Sequence, residues 1–215
     1  MPKREIIEGR PVLLVIDIQE DTFVHEGEDD GIPVVEDYAE RVSRTRALID
    51  VAHDVNIPVV FIKEVHRPDH VDFGRELDGN EGVHCIETEP TTEYAKSMDP
   101  RPTDYFISKR RYSCFFGTDL EILLKGLGAE TLVLTGGLTD VCVHYTFVDG
   151  HQHNYFCRVV EDCVAGSSER AHEGALEAME YLQAGARRQR TDMINAFRRF
   201  ADNRESSTAV SAVGV

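Results

Sequence analysis

Short uninterrupted apolar runs alternate along the chain with longer stretches in which apolar residues return every three or four positions. Residues 11–16 (Pro-Val-Leu-Leu-Val-Ile) are apolar throughout, the signature of a strand covered on both faces. Between residues 36 and 55, Ala39, Val42, Ala47, Leu48, Val51 and Ala52 recur at helical spacing and predict a helix. Residues 57–62 read as a second strand, with Pro58 near its start, where a missing N–H donor is tolerated. Residues 63–103 are polar and hold Gly, Asp, His and Pro, so long functional loops are expected there. Residues 104–107 give a third strand. Thr118 is a candidate cap for a helix over 119–127, and Gly128 a candidate stop. A fourth strand at 131–135 leads through a glycine turn into a helix from 140 to 152. A fifth strand at 156–160, a helix at 169–184 and a weakly signalled sixth strand near 186–190 complete the pattern. One domain is expected at 1–201, followed by a structureless tail at 202–215.

Strands alternating with helices predict an α/β fold: a mostly parallel six-stranded sheet with helices on both faces, in three layers. Ligands bind beyond the carboxyl ends of the strands in such sheets. Asp17 follows the first predicted strand, Glu64 and His66 the second, Lys109 the third and residues 136–142 the fourth. The chemically reactive candidates therefore collect at one sheet edge.

Composition narrows the partners. A length of 215 residues and 41% hydrophobic content suit one domain with a real core. The formal charge of −16 disfavours nucleic acid and anionic membranes as partners, because its long-range field repels both. No segment approaches the roughly 18 apolar residues of a membrane span. The amino-terminal residues lack the apolar core and small-residue cleavage site of a secretion signal, so a cytoplasmic protein is expected. The five cysteines, Cys85, Cys114, Cys142, Cys157 and Cys163, are odd in number and form no Cys-x-x-Cys pair. Neither a disulfide framework nor a cysteine zinc site is suggested, and reduced thiols are expected.

Cys142 is the strongest single candidate. In Thr135-Gly136-Gly137-Leu138-Thr139-Asp140-Val141-Cys142-Val143 the thiol lies at the start of a helix after a tight turn. Backbone N–H groups and the helix dipole there are expected to favour thiolate and lower its pKa. The plainer alternative is a buried small hydrophobe, the usual state of a free cysteine. Lys109 is either a solvated lysine beside Arg110 and Arg111 or an ammonium that stabilises the thiolate. Asp17 is either a turn aspartate or a carboxylate that takes the thiol proton and hands it to a departing amine.

Three segments together resemble the isochorismatase-like cysteine hydrolases: Val15-Ile16-Asp17-Ile18-Gln19, Ser108-Lys109-Arg110-Arg111-Tyr112-Ser113-Cys114-Phe115-Phe116, and Thr135 through Val143. The likeness covers roughly residues 10–185, in the expected order. It extends to nicotinamidase, N-carbamoylsarcosine amidase, biuret hydrolase and ureidoacrylate amidohydrolase. The resemblance implies a Rossmann-like sheet and a triad of Asp17, Lys109 and Cys142. The Lys-to-Cys spacing of 33 is like that of the carbamoyl-type amidases. It further implies a cis peptide at Gly137–Leu138 that aims the Leu138 and Cys142 N–H groups at an oxyanion. Family members commonly carry Phe five residues after the first Asp; here Thr22 stands there and Phe23 follows.

The resemblance also bears on cofactors. Nicotinamidases of the family bind a divalent metal through Asp-x-His and a later His, and the matching positions here are Glu64, His66 and His84. Zinc, iron or manganese suits such a set. Several amidases with His-Arg-Pro at this place are metal-free, and this chain has His66-Arg67-Pro68. Action without a cofactor is the expectation, with a metal as the alternative. Phe23, Arg67, Tyr112 and Phe115 are candidate substrate contacts. Arg67, Arg110 and Arg111 favour a substrate that carries a carboxylate or polar acyl group. The implied reaction is cleavage of a small linear amide, carbamoyl or ureido C–N bond through a thioester, releasing ammonia or an amine. The rival readings are a metal-assisted nicotinamidase, vinyl-ether hydrolysis of the isochorismate type, which members with that chemistry run without the cysteine, and a non-catalytic binding protein. A homo-oligomer, dimer or tetramer, is expected from the likeness.

Overall fold

The computed structural model describes residues 5–24 and 32–212. Its first strand, β1 (Pro11–Ile16), is followed by the short helix α1 (Asp21–Val24) and the helices α2 (Tyr38–Ser43) and α3 (Thr45–Asp54). Next come β2 (Val59–Glu64), β3 (Tyr105–Lys109), α4 (Leu120–Leu127) and β4 (Thr131–Gly137). A single π-helical turn over Thr139–Val143 opens into α5 (His144–Gln152). The chain closes with β5 (Phe156–Ala165), α6 (Glu169–Leu182), β6 (Arg187–Arg188) and α7 (Arg190–Ala212). All six strands are parallel, in the order β3-β2-β1-β4-β5-β6.

The pleat sorts the apolar runs into two cores. Val12, Leu14 and Ile16 of β1 face α4 (Leu120, Leu124), α5 (Phe147) and α6 (Leu176, Met179). Leu13 and Val15 face α2 and α3 (Val42, Leu48, Ile49, Ala52) and α7 (Met193, Phe197). Both faces of β1 are thus covered, as its unbroken apolar run predicts.

Several boundaries differ from the sequence reading. The single helix expected over 36–55 is two helices meeting at Arg44. β2 and β3 each run two residues further, to Glu64 and Lys109, because these polar residues still pair in register across the strands. β5 continues to Ala165 past a register shift opposite Leu134 and Gly136. The largest difference is α7, since the apolar pattern predicts no element at 191–201 and no structure beyond. Met193, Ala196 and Phe197 recur at helical spacing and are buried against α3 and β5, so the segment has a core to fold onto. The helix carries on through Ala212, and residues 213–215 of the expected tail lie outside the described residues. Among the described residues no helix is long and apolar enough to cross a membrane.

Candidate active site

Strand order reverses between β1 and β4, and the crevice at such a point is where α/β sheets bind ligands. Asp17 leaves β1 in the left-handed region, at φ 51°, with its N–H on the Ile62 carbonyl at 2.9 Å. Glu64 and Lys109 are register partners at the ends of β2 and β3. Gln19 fixes Glu64 from the β1 side. Its Oε1 accepts from the Glu64 N–H at 2.9 Å, and its Nε2 donates to the Glu64 carbonyl at 3.1 Å and to the Thr92 carbonyl at 2.8 Å. Gly136 has φ 104°, and a Cβ there would lie 1.9 Å from the Ile16 carbonyl oxygen, so only glycine lets β4 pass so close to β1.

Lys109 has no exposed surface, and its ammonium is the hub of the site. Nζ lies 2.9 Å from Asp17 Oδ2, 2.5 Å from Glu64 Oε2 and 3.4 Å from Cys142 Sγ. Cys142 Sγ is also 3.6 Å from Glu64 Oε2. One oxygen each of Asp17 and Glu64 and the sulfur all lie within 4.8 Å of one another. Cys142 sits in the π-helical turn, where the Val141 and Val143 N–H groups both donate to the Leu138 carbonyl at 3.1 Å. The Gly137–Leu138 peptide bond before that turn is cis. Side chains tie the turn to α6 and to the loop between β5 and α6. Thr139 Oγ1 meets His172 Nδ1 at 2.9 Å, and Asp140 accepts from the Ser167 N–H at 2.9 Å and its hydroxyl at 2.6 Å.

Burial governs the electrostatics. It pushes the Asp17 carboxyl up to about 6 against the opposing pull of Lys109, and the nearby Glu64 charge adds to the rise. Burial alone would lower Lys109, yet the negative charges of Asp17 and Glu64 hold it well above its ordinary value. Burial alone would raise Glu64, but Lys109 and hydrogen bonds from His66 and His84 keep it well below the usual carboxylate range. Cys142 goes the opposite way to the sequence expectation. Its thiol is raised well above the ordinary cysteine value, because desolvation outweighs the Lys109 charge and Asp17 and Glu64 add to it. The sulfur therefore rests as a thiol and needs a proton acceptor.

Residues 11–193 match the family model described as the isochorismatase domain. The chain belongs to the isochorismatase family. Among curated relatives it is similar to a ureidoacrylate amidohydrolase of Methylorubrum extorquens, 32% identical over 165 residues, covering 69% of this chain. The match spans 64% of that relative's length. Among solved structures it resembles an isochorismatase-like hydrolase from Alkaliphilus metalliredigens, with a TM-score of 0.76 and 26% identity over 88% of this chain and all of that one. It also resembles a pyrazinamidase of Pyrococcus horikoshii in complex with zinc, with a TM-score of 0.72 and 27% identity over 84% of this chain and 99% of that one.

In this isochorismatase-family chain a pocket of about 700 Å³ opens above Asp17, Glu64 and Cys142. Tyr112 lines it, as the sequence suggested, but Phe23, Arg67 and Phe115 do not. Phe23 packs onto the core beneath α2 and α3. Phe115 stacks on His153 and Tyr155. Arg67 is exposed and pairs with Asp69 at 3.4 Å. Sequence reasoning missed Tyr38, whose hydroxyl occupies the place a Gly137 Cβ would fill, and Glu81, which accepts from the Tyr112 hydroxyl at 2.8 Å. Neither lies in a motif, so no local signal marks them.

Behind Glu64 the three nominated metal positions converge with a fourth residue, Glu76. Donor atoms of Glu64, His66, Glu76 and His84 lie within 4.8 Å of one another, all buried. His66 Nε2 is 3.1 Å from both Glu64 Oε1 and Glu76 Oε2. His84 Nδ1 bonds the Gly82 carbonyl at 2.7 Å, which leaves Nε2 facing Glu64. Glu76 Oε1 is buried without a partner, and Oε2 meets only the His66 Nε2 that Glu64 also faces. Two imidazoles and two carboxylates, one of them with an unpartnered oxygen, fit a divalent zinc, iron or manganese ion. The two carboxylates also raise His66 to about 9 against the opposing effect of burial, so an imidazolium can balance the same charge without metal.

Proposed function

We propose that the chain is an amidohydrolase that cleaves the C–N bond of a small amide, carbamoyl or ureido compound through a thioester on Cys142. The observation that carries this reading is the single buried ammonium within 3.4 Å of both a thiol and a carboxylate at the floor of a pocket. The amidohydrolase name of a relative supports it.

Asp17 takes the Sγ–H proton as sulfur bonds to the substrate carbonyl carbon. Its carboxyl, at about 6, is ionised at neutral pH yet basic enough to accept. The Leu138 and Cys142 N–H groups are the proposed donors to the oxyanion, and Lys109 offsets the negative charge gathered between sulfur and carboxylates. Collapse breaks the C–N bond, and Asp17 returns its proton to the leaving nitrogen. Water then gives a proton to Asp17, attacks the thioester and frees the acid, and the proton returns to sulfur. No cofactor enters these steps. Cys142→Ala should keep the fold, by circular dichroism, and lose ammonia or amine release; retention of more than a few per cent of the wild-type rate would sink the mechanism.

A metal-assisted variant, of the nicotinamidase kind, is favoured by one observation, the unpartnered Glu76 Oε1 among His66, His84 and Glu64. Those four residues would hold the ion, which would supply Lewis-acid polarisation at the pocket wall. Elemental analysis of untagged protein decides this point, since a stoichiometric metal lost in Glu76→Ala supports it. The proposal includes a dimer or tetramer. Exposed Ile122, Phe116 and Tyr181 are consistent with buried contacts between copies, and sedimentation velocity tests it.

A further inference from the structure

The walls of the pocket carry a charge that speaks to its substrate. Beyond Asp17 and Glu64 on the floor, its lining includes Asp21, Glu36, Asp37, Glu40 and Glu81; among the described residues it includes no lysine or arginine, and its one basic group, the His84 imidazole, faces Glu64. The one ammonium beneath, Lys109, is fully buried and already engaged by both floor carboxylates.

The arginines that the sequence offers as carboxylate receptors are spent on the loop that carries them. Arg110 donates to the Val65 carbonyl and pairs with Asp72 at 3.1 Å, and Arg111 donates to the Asp72 carbonyl. Asp37 and Glu40 are offset from behind by Arg41 at 2.9 Å and Arg44 at 2.7 Å. No lysine or arginine pairs with Glu36 or Glu81 among the described residues; Glu81 accepts from the neutral Tyr112 hydroxyl, and His84 is the one imidazole whose charge it favours. The described residues 20–24 and 32–40, from which one side of the pocket is drawn, hold five carboxylates and no lysine or arginine. A carboxylate-bearing substrate would enter this space against like charge, with no lysine or arginine to receive it and with the His84 imidazole already turned to Glu64. A cation would meet carboxylates flanked by the rings of Tyr38 and Tyr112, the chemistry that binds ammonium and guanidinium groups.

We propose that the pocket selects an amide, carbamoyl or ureido substrate whose far end is cationic, an amine or guanidine in protonated form, and rejects the carboxylate-bearing analogue. This rests on Cys142 being the nucleophile, and the test separates the two ideas. Two thiol reagents of opposite charge, aminoethyl methanethiosulfonate and sulfonatoethyl methanethiosulfonate, are applied to the whole protein. In each, the cysteine sulfur forms a disulfide with the reagent and methanesulfinate departs. Intact-mass kinetics, with Cys142→Ala subtracting the other cysteines, give the rates at Cys142. The expected cation-to-anion ratio exceeds that of a small free thiol by about tenfold or more, falls with added salt, and falls in Glu81→Gln. A ratio at or below that of the free thiol overturns the proposal and leaves the nucleophile standing. Labelling of Cys142 by neither reagent overturns both.

Turnover supplies the second arm, with three amides of equal length ending in an amine, a methyl group and a carboxylate. Ammonia release in the order amine, methyl, carboxylate supports the proposal. Faster release from the carboxylate amide overturns the charge selection alone.

Discussion

A lysine with no exposed surface stays an ammonium only if opposite charge surrounds it, and Lys109 has two carboxylates and a thiol within reach. Lys109→Met is expected to cut kcat by about a thousandfold, measured by ammonia release, because it removes the charge that offsets the attacking sulfur. The pH dependence follows from Asp17. This carboxyl is carried up to about 6 and must be ionised to accept the thiol proton, so kcat/KM should fall as pH drops through about 6 and level off above it. A profile flat across this region would contradict Asp17 as the base. The convergence of Asp17, Lys109 and Cys142 was legible in the sequence because each lies at or beyond the carboxyl end of a strand, in a motif of fixed spacing. The state of the sulfur was not. A helix start argues for thiolate, whereas the desolvation that wins depends on neighbours from four strands. Glu76 was equally hidden, lying in a polar loop where only the fold brings it to His66.

Among the elements, those with a continuous apolar run or a clear helical period could be read from the chain. β1, β4 and α4 stand where the pattern puts them, and Gly128 ends α4 at φ 64° as a left-handed stop. α7 was missed because its apolar residues are sparse among arginines and its stability comes from docking on α3 and β5. Phe197 is the anchor, with no exposed surface. Phe197→Ala should cost about 3–5 kcal/mol in urea unfolding, whereas removing the neighbouring exposed Arg198 side chain should change little. Gly136→Ala should lose folded protein outright in the same assay. Its Cβ would meet backbone rather than a flexible side chain, and the φ of 104° is unsuited to alanine.

For the molecule as a whole, alternation of strand and helix was enough to foretell the parallel sheet and the edge at which its chemistry gathers. The character of the pocket was not foreseeable in that way. Three arginines near the site in sequence suggested an anion receptor, and the fold turns all of them into loop ties. The ammonium shared between Asp17 and Glu64 has one more consequence. Two carboxylates against one lysine leave this trio a single negative charge in excess, so one proton makes it neutral. Taking up the sulfur's proton and later releasing it to nitrogen moves the buried trio only between minus one and zero. A catalytic cycle can thus run to completion with the protein interior never holding more than one uncompensated electronic charge at that spot, whatever the outer walls attract.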